Sequence, residues 1–161
     1  MIISRAHVND VAAIVALEAE AFPASERWSH ESWVGEILAD DRLVLIGRGP
    51  FDEVMAAATF QCVEDVADLH RIMIAEEHRG QGQARRLLVA GMQWAEAIGA
   101  RRILLEVRQD NEVAIQLYQR HHFTPIGTRL DYYGPGVHAV VMEAELGSGL
   151  DTRIEDRWAI A

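Results

Sequence analysis

Two glycines and three arginines share one short stretch, His78-Arg79-Gly80-Gln81-Gly82-Gln83-Ala84-Arg85-Arg86. An apolar strand precedes it and an amphipathic pattern comes after it, so the glycines fall at a strand-to-helix turn. Glycine there lets the main chain approach a ligand without a Cβ in the way. The first amides of the helix have no intrahelical partner, and the helix dipole adds partial positive charge to them. Arg79, Arg85 and Arg86 bring full positive charge to the same place, in a chain of net charge −10. The chemistry this suits is the binding of a diphosphate. The alternative is a tight turn that holds nothing.

Two nucleotide fingerprints fail here. A P-loop needs Gly-Lys-Ser/Thr after four spacer residues, and neither the lysine nor the hydroxyl is present. A dinucleotide fold needs a small residue where Arg85 stands, and an acidic one about 20 residues on, where Ala100-Arg101-Arg102 lies. What remains is Arg79-x-x-Gly82-x-Ala84.

Glu106 interrupts the apolar run Ile103-Leu104-Leu105-Glu106-Val107. A carboxylate in such a strand is costly unless paired or hydrogen-bonded. It reads either as a general base whose pKa burial raises, or as a structural group satisfied by amides or by an arginine such as Arg108. Tyr118 shares a helix face with Ala114 and Leu117, pointing inward; it reads as a proton donor or as a core aromatic. Cys62 reads as core. The seven histidines show no metal-ligand spacing, so no metal is expected. His121-His122 reads as a helix end facing the dipole, and Trp28 and Trp33 as core anchors or groove walls.

The elements that must position these groups are legible from periodicity and breakers. Residues 2–5 read as a strand and 8–22 as a helix capped by Asn9 or Asp10 and ended by Pro23. Ser29 caps a second helix reaching Asp40. Strands follow at 42–47, 54–63 and 67–74, with a turn at Gly49-Pro50-Phe51-Asp52. The helix after the glycine turn carries Ala84, Leu87, Leu88, Gly91, Ala95 and Ile98 on one face and stops at Gly99. A strand at 103–107, a helix at 111–120 and strands at 123–132 and 138–146 complete the pattern. The expectation is an α/β fold with a mixed sheet of about six to seven strands and helices on both faces. One domain over 1–146 is expected, with 147–161 as a hinge and tail.

The 161 residues suffice for one domain with a real core. Fifteen basic against 25 acidic residues argue against direct nucleic-acid binding. No apolar run reaches the roughly 20 residues of a membrane helix, and the first residues lack a signal-peptide pattern. One cysteine fits a reducing compartment, so a cytoplasmic, membrane-free protein is expected, as a monomer or weak homodimer.

Arg79-x-x-Gly82-x-Ala84 resembles the pyrophosphate loop of the GCN5-related N-acetyltransferase (GNAT) superfamily. The run Leu105-Glu106-Val107-Arg108-x-x-Asn111-x-x-Ala114-Ile115-x-Leu117-Tyr118 resembles the segment downstream of that loop in the superfamily. More narrowly the chain resembles the RimI-type ribosomal-protein-alanine N-acetyltransferases. Arg27-Trp28-Ser29-x-x-Ser32-Trp33 and Asp131-Tyr132-Tyr133-x-x-Gly136-x-x-Ala139-x-x-Met142 carry that narrower resemblance. The resemblance spans residues 2–146 and implies the GNAT fold with acetyl-CoA as cosubstrate. It implies that Ile72, Met73 and Ile74 pair through their backbone with the pantetheine arm. Arg79, Gly80, Gln81, Gly82, Gln83, Ala84 and Arg85 would hold the pyrophosphate, and Asn111 would touch the cofactor near its reactive end. Glu106 would be the base, through water, and Tyr118 the acid for the departing thiolate.

The implied acceptor is the N-terminal α-amine of a protein, with alanine of a small-subunit ribosomal protein as the branch-typical partner. Acetylation of lysine or a small amine, and a non-catalytic acyl-CoA-binding protein, are the alternatives. An α-amine has a pKa of about 7.7–8.0, against about 10.4 for lysine, so one carboxylate is an adequate base for it. Three positions depart from the branch pattern. His122 stands where a glycine is usual, Asp131 replaces asparagine and His138 replaces aspartate. If that glycine takes positive φ, His122 is a less comfortable occupant.

Overall fold

The computed structural model describes residues 1–147. The expected tail lies outside the described residues, apart from Gly147. Seven strands and four helices follow one another along the described residues: β1 (Ile2–Arg5), α1 (Val11–Ala21), α2 (His30–Leu38), β2 (Arg42–Arg48), β3 (Val54–Val63) and β4 (Val66–Ile74), then α3 (Gln83–Ala97), β5 (Arg102–Arg108), α4 (Glu112–Arg120), β6 (Thr124–Arg129) and β7 (Ala139–Glu145). They form one sheet in the order β1-β2-β3-β4-β5-β7-β6, mixed as expected, with β4 and β5 its parallel pair. The first helix starts later than periodicity suggests, because Val8–Asp10 forms a 3-10 turn. The Asp10 carboxylate turns back to accept from the His7 amide at 2.8 Å. Ser29 caps α2 as its residue type dictates, its hydroxyl accepting from the Ser32 amide at 3.1 Å.

The core has two halves, one on each face of the sheet. Leu87, Leu88, Met92 and Ala95 of α3 pack with Ala56, Ala58, Phe60, Leu69, Ile103 and Leu105. Val11, Ile14 and Leu17 of α1 pack with Trp33 of α2 and with Val44, Ile46, Ala57 and Met73. Central β3 holds Ala56, Ala57 and Ala58 fully buried on alternate faces, which small side chains permit when helices cover both. Gly91 lets α3 lie directly on Phe60: a Cβ at 91 would sit 2.0 Å from that ring's Cζ.

The feature that makes a site is a parallel pair that ends early. β4 and β5 are registered from Val66 with Arg102 to Leu69 with Leu105. Beyond that point β4 runs on to Ile74 beside β3 alone, and β5 runs on to Arg108 beside β7 alone. The strands diverge, leaving main-chain donors and acceptors of β4 without a strand neighbour on that side. A β-bulge causes the divergence. Thr59 faces Arg71 and Phe60 faces Leu69, so His70 is one residue too many. An extra residue bends and twists its strand. It also reverses the alternation: Leu69 belongs to the α3 side, whereas Met73 belongs to the side of α1 and α2.

Candidate active site

Between the diverging strands lies a cavity of about 380 Å³, lined by β4 from Leu69 to Ile72 and by β5 from Leu105 to Arg108. The end of α1, Glu26, Asn111, Ala114, Tyr118 and Tyr133 complete its walls. Four of the residues singled out in the sequence, Ile72, Glu106, Asn111 and Tyr118, therefore meet in one place. The glycine loop, with Met73 and Ile74, is not part of this lining; it lies at the carboxyl end of β4. Met73 instead faces the α1 and α2 half of the core.

The loop has the geometry that its glycines suggest. Glu76–His78 forms a 3-10 turn after β4, and Gly80 and Gly82 then adopt φ of 73° and 77°. Such angles favour glycine, and Gly82 is the residue from which α3 starts. No atom lies within 4 Å of where a Cβ would stand at either position, so the backbone conformation and not crowding demands glycine. The space beside both glycines is open. Arg79 Nε donates to the Ile74 carbonyl at 3.0 Å and braces the loop against β4.

Glu106 is satisfied by an arginine, though not by Arg108. Strand β5 alternates, with Ile103, Leu105 and Val107 buried toward α3 while Glu106 points to the other face. Its side chain is 29% exposed and paired with Arg129, so it is not a carboxylate isolated in apolar surroundings. Arg108 is not its partner either. That guanidinium is held by Asp110 through two bonds of 3.1 Å and reaches Glu26 at 3.3 Å. Tyr132 donates its hydroxyl to Glu106, and this bond, with burial and the carboxylate's charge, keeps the phenol protonated beyond its ordinary range.

Tyr118 is only 5% exposed and stacks on Phe123 at 5.7 Å between ring centroids. Burial, reinforced by Tyr133, raises its pKa well above that of a free phenol. No hydrogen bond among the described residues occupies its hydroxyl. Asn111 caps α4, its side-chain oxygen accepting from the Ala114 amide at 3.2 Å. That oxygen is committed, which leaves the amide group for the cavity. The end of α4 holds Tyr118 in place: the His121 and Phe123 amides both return to the Tyr118 carbonyl, at 2.9 and 3.1 Å. His122 takes φ of 66° there, the left-handed conformation anticipated for the usual glycine. Burial, and then Arg85, lower the pKa of His121 at this helix end.

Several residues in the wall and behind it escaped the sequence reading. Glu18 of α1 is 1% exposed and accepts from the Trp28 amide, the Trp33 indole and the Arg71 guanidinium. Arg71 in turn lies over the rings of Phe22 and Trp28, at 4.3 and 4.5 Å. Trp33 is thus a buried anchor, and Trp28 stacks on it at 5.1 Å without lining the cavity. Tyr133, pushed up to about 12 by burial and then by Tyr132, Glu106 and Glu26, stands in the wall near both carboxylates. His70 is held neutral by burial and by Arg42. Among the described residues no helix is long and apolar enough to cross a membrane.

The sequence pattern of the acetyltransferase (GNAT) family matches residues 9–123. The [ribosomal protein bS18]-alanine N-acetyltransferase of Escherichia coli strain K12 is 33% identical over 133 residues, which cover 81% of this chain and 86% of that protein. A crystal structure of the ribosomal-protein-S18-alanine N-acetyltransferase from Escherichia coli superposes with a TM-score of 0.80 at 26% identity, covering 89% of this chain and 92% of that one. The uncharacterized N-acetyltransferase YobR of Bacillus subtilis strain 168 is 33% identical over 75 residues, 47% of this chain, and the match spans only 30% of that relative's length.

Proposed function

The chain belongs to the acetyltransferase (GNAT) family, and from that premise we propose that it transfers the acetyl group of acetyl-CoA to the α-amine of a protein N-terminus. The first candidate acceptor is the N-terminal alanine of a small-subunit ribosomal protein. The observation that carries this reading is the meeting of Glu106, Tyr118 and Asn111 in the opening where β4 leaves β5, with the glycine loop at its end.

The loop fits a diphosphate on its own geometry. Its two left-handed glycines leave open space, and the first amides of α3 stand there as donors. Gly80, Gln81, Gly82, Gln83, Ala84 and Arg85 would hold the pyrophosphate, and Ile72 to Ile74 would offer the unpaired edge of β4 to the pantetheine arm. Arg79 would act from behind, by bracing the loop. Acetyl-CoA supplies the acetyl group as a thioester. No side chain needs to carry that group, since direct attack by the amine suffices.

Glu106 would take the proton of the amine, directly or through water. Its partial exposure admits water, and Arg129 and Tyr132 orient the carboxylate. Tyr118 has a narrower role than full acid catalysis. A phenol whose pKa exceeds about 10 cannot give its proton downhill to a thiolate whose conjugate acid has a pKa of about 8.5. It would keep that proton and donate a hydrogen bond to the departing sulfur.

Free-N-terminus peptides compared with lysine-only peptides, read by CoA release, test the acceptor. The expected result is strong preference for the α-amine. Equal turnover of both would favour the rival reading, acetylation of lysine or small amines, because Glu26 and Glu106 would attract any ammonium group.

A further inference from the structure

Arg71 is an unusual residue to find at an amine-binding cavity, because a cation there repels a cationic acceptor. The fold removes that objection. Glu18, buried at 1% exposure, pairs with the guanidinium from the side of α1. The rings of Phe22 and Trp28 cover it at 4.3 and 4.5 Å. Its Nη2 donates to the Glu26 carbonyl at 3.0 Å. The bulge at His70 turns Arg71 to this face, since without the extra residue Arg71 would share the side of Leu69.

Nη1 spends one N–H on the Glu18 carboxylate and Nη2 one on the Glu26 carbonyl. Nε has no partner among the described residues. It is not sealed off either, for Arg42 Nε is the one buried, unpartnered side-chain nitrogen or oxygen among those residues. Arg71 is one of the residues that line the cavity. A charge-neutralised, sterically clamped donor thus stands on β4 across the opening from Glu106 on β5.

We propose that Arg71 is a specificity-determining residue, whose Nε–H donates to the main-chain carbonyl of the acceptor's first residue while Glu106 faces the amine of that same residue. This inference rests on the α-amine reading above and deepens it. An N-terminal residue carries its carbonyl one carbon beyond the carbon bearing the amine, so the two groups can meet β4 and β5 together. A lysine side-chain amine has its carbonyl a whole side chain away and leaves the donor unsatisfied. A site built to satisfy a polar group penalises a ligand that lacks it.

The test compares alaninamide with 2-aminopropane, which keeps the carbons around the amine but lacks the carbonyl, in the wild type and in Arg71→Lys. Lysine retains a charge for Glu18 and loses the fixed Nε–H. Differences in amine basicity cancel, because both proteins meet the same two acceptors. The expected result is a fall in kcat/KM for alaninamide on the order of tenfold or more, as for loss of a hydrogen bond from a charged donor. The rate with 2-aminopropane and the thermal shift caused by acetyl-CoA should stay unchanged. Equal loss for both acceptors, or none for either, overturns the proposal. Should Arg71→Lys fail to fold, a peptide whose first carbonyl is a thioamide tests the wild type directly. Sulfur accepts hydrogen bonds more weakly, so turnover should drop several-fold, and undiminished turnover overturns the assignment. Failure of the underlying reading looks different: the wild type would acetylate lysine-only peptides as fast as free N-termini, whatever Arg71 does.

Discussion

The guanidinium of Arg129 on β6 reaches across β7 to pair with the carboxylate of Glu106 on β5. The pair ties the outermost strand of the sheet to the group proposed to accept the amine proton. It also sets a cation beside a carboxylate that an incoming ammonium must approach. Arg129 is half exposed, so water screens the interaction and its worth is modest. Arg129→Ala should lower the acceptor KM by about two- to threefold and leave the acetyl-CoA KM unchanged. The difference should shrink as salt is raised, which steady-state kinetics at two ionic strengths will show.

His122 holds a φ of 66° at the end of α4, next to the turn that seats Tyr118. A side chain in that conformation costs about 1–2 kcal/mol, and glycine there regains most of it, less an entropic cost of about 0.5–1 kcal/mol. His122→Gly should therefore stabilise the fold by ~0.5 kcal/mol, measured by urea unfolding, with catalysis unaltered. A loss of stability would mean that the imidazole makes a contact worth more than the strain.

Buried phenols predict an alkaline limit. The pKa of Tyr118 is raised by burial, and that of Tyr133 is pushed up to about 12, chiefly by burial. The folded state then holds these protons where the unfolded chain, with phenols near 10, has begun to release them. Stability from this source is complete below about pH 10 and is lost as pH rises through the folded values. The melting temperature should fall steeply above about pH 10, and Tyr118→Phe should flatten part of that fall. An equal slope in the variant would contradict the burial of the Tyr118 phenol.

What could be read from the chain was local chemistry. The glycine loop is legible because its backbone angles, free amides and charge all arise within one stretch of sequence. The positive φ at His122 was likewise foreseeable from the residue that usually stands there. Glu106 was visible as an anomaly, but a strand apolar on both sides of it does not say which face each residue takes. Pairing with β7 and the uncovered face decided that, and made Arg129 rather than Arg108 its partner. The bulge had a faint signal in two successive polar residues, His70 and Arg71, between Leu69 and Ile72. Glu18 had none. It sits in α1 where a solvated carboxylate is ordinary, and its burial depends on Arg71, 53 residues on.

The proton-accepting role of Glu106 is the central claim, and Glu106→Gln examines it most directly. The amide keeps the shape and still hydrogen-bonds, but it cannot take the proton. Single-turnover acetylation of an alanine-starting peptide, with acetyl-CoA saturating, should slow on the order of 10²-fold or more. The acetyl-CoA-induced thermal shift should be retained. Acetylation at the wild-type rate, with that shift intact, would contradict the assignment of Glu106 as the base.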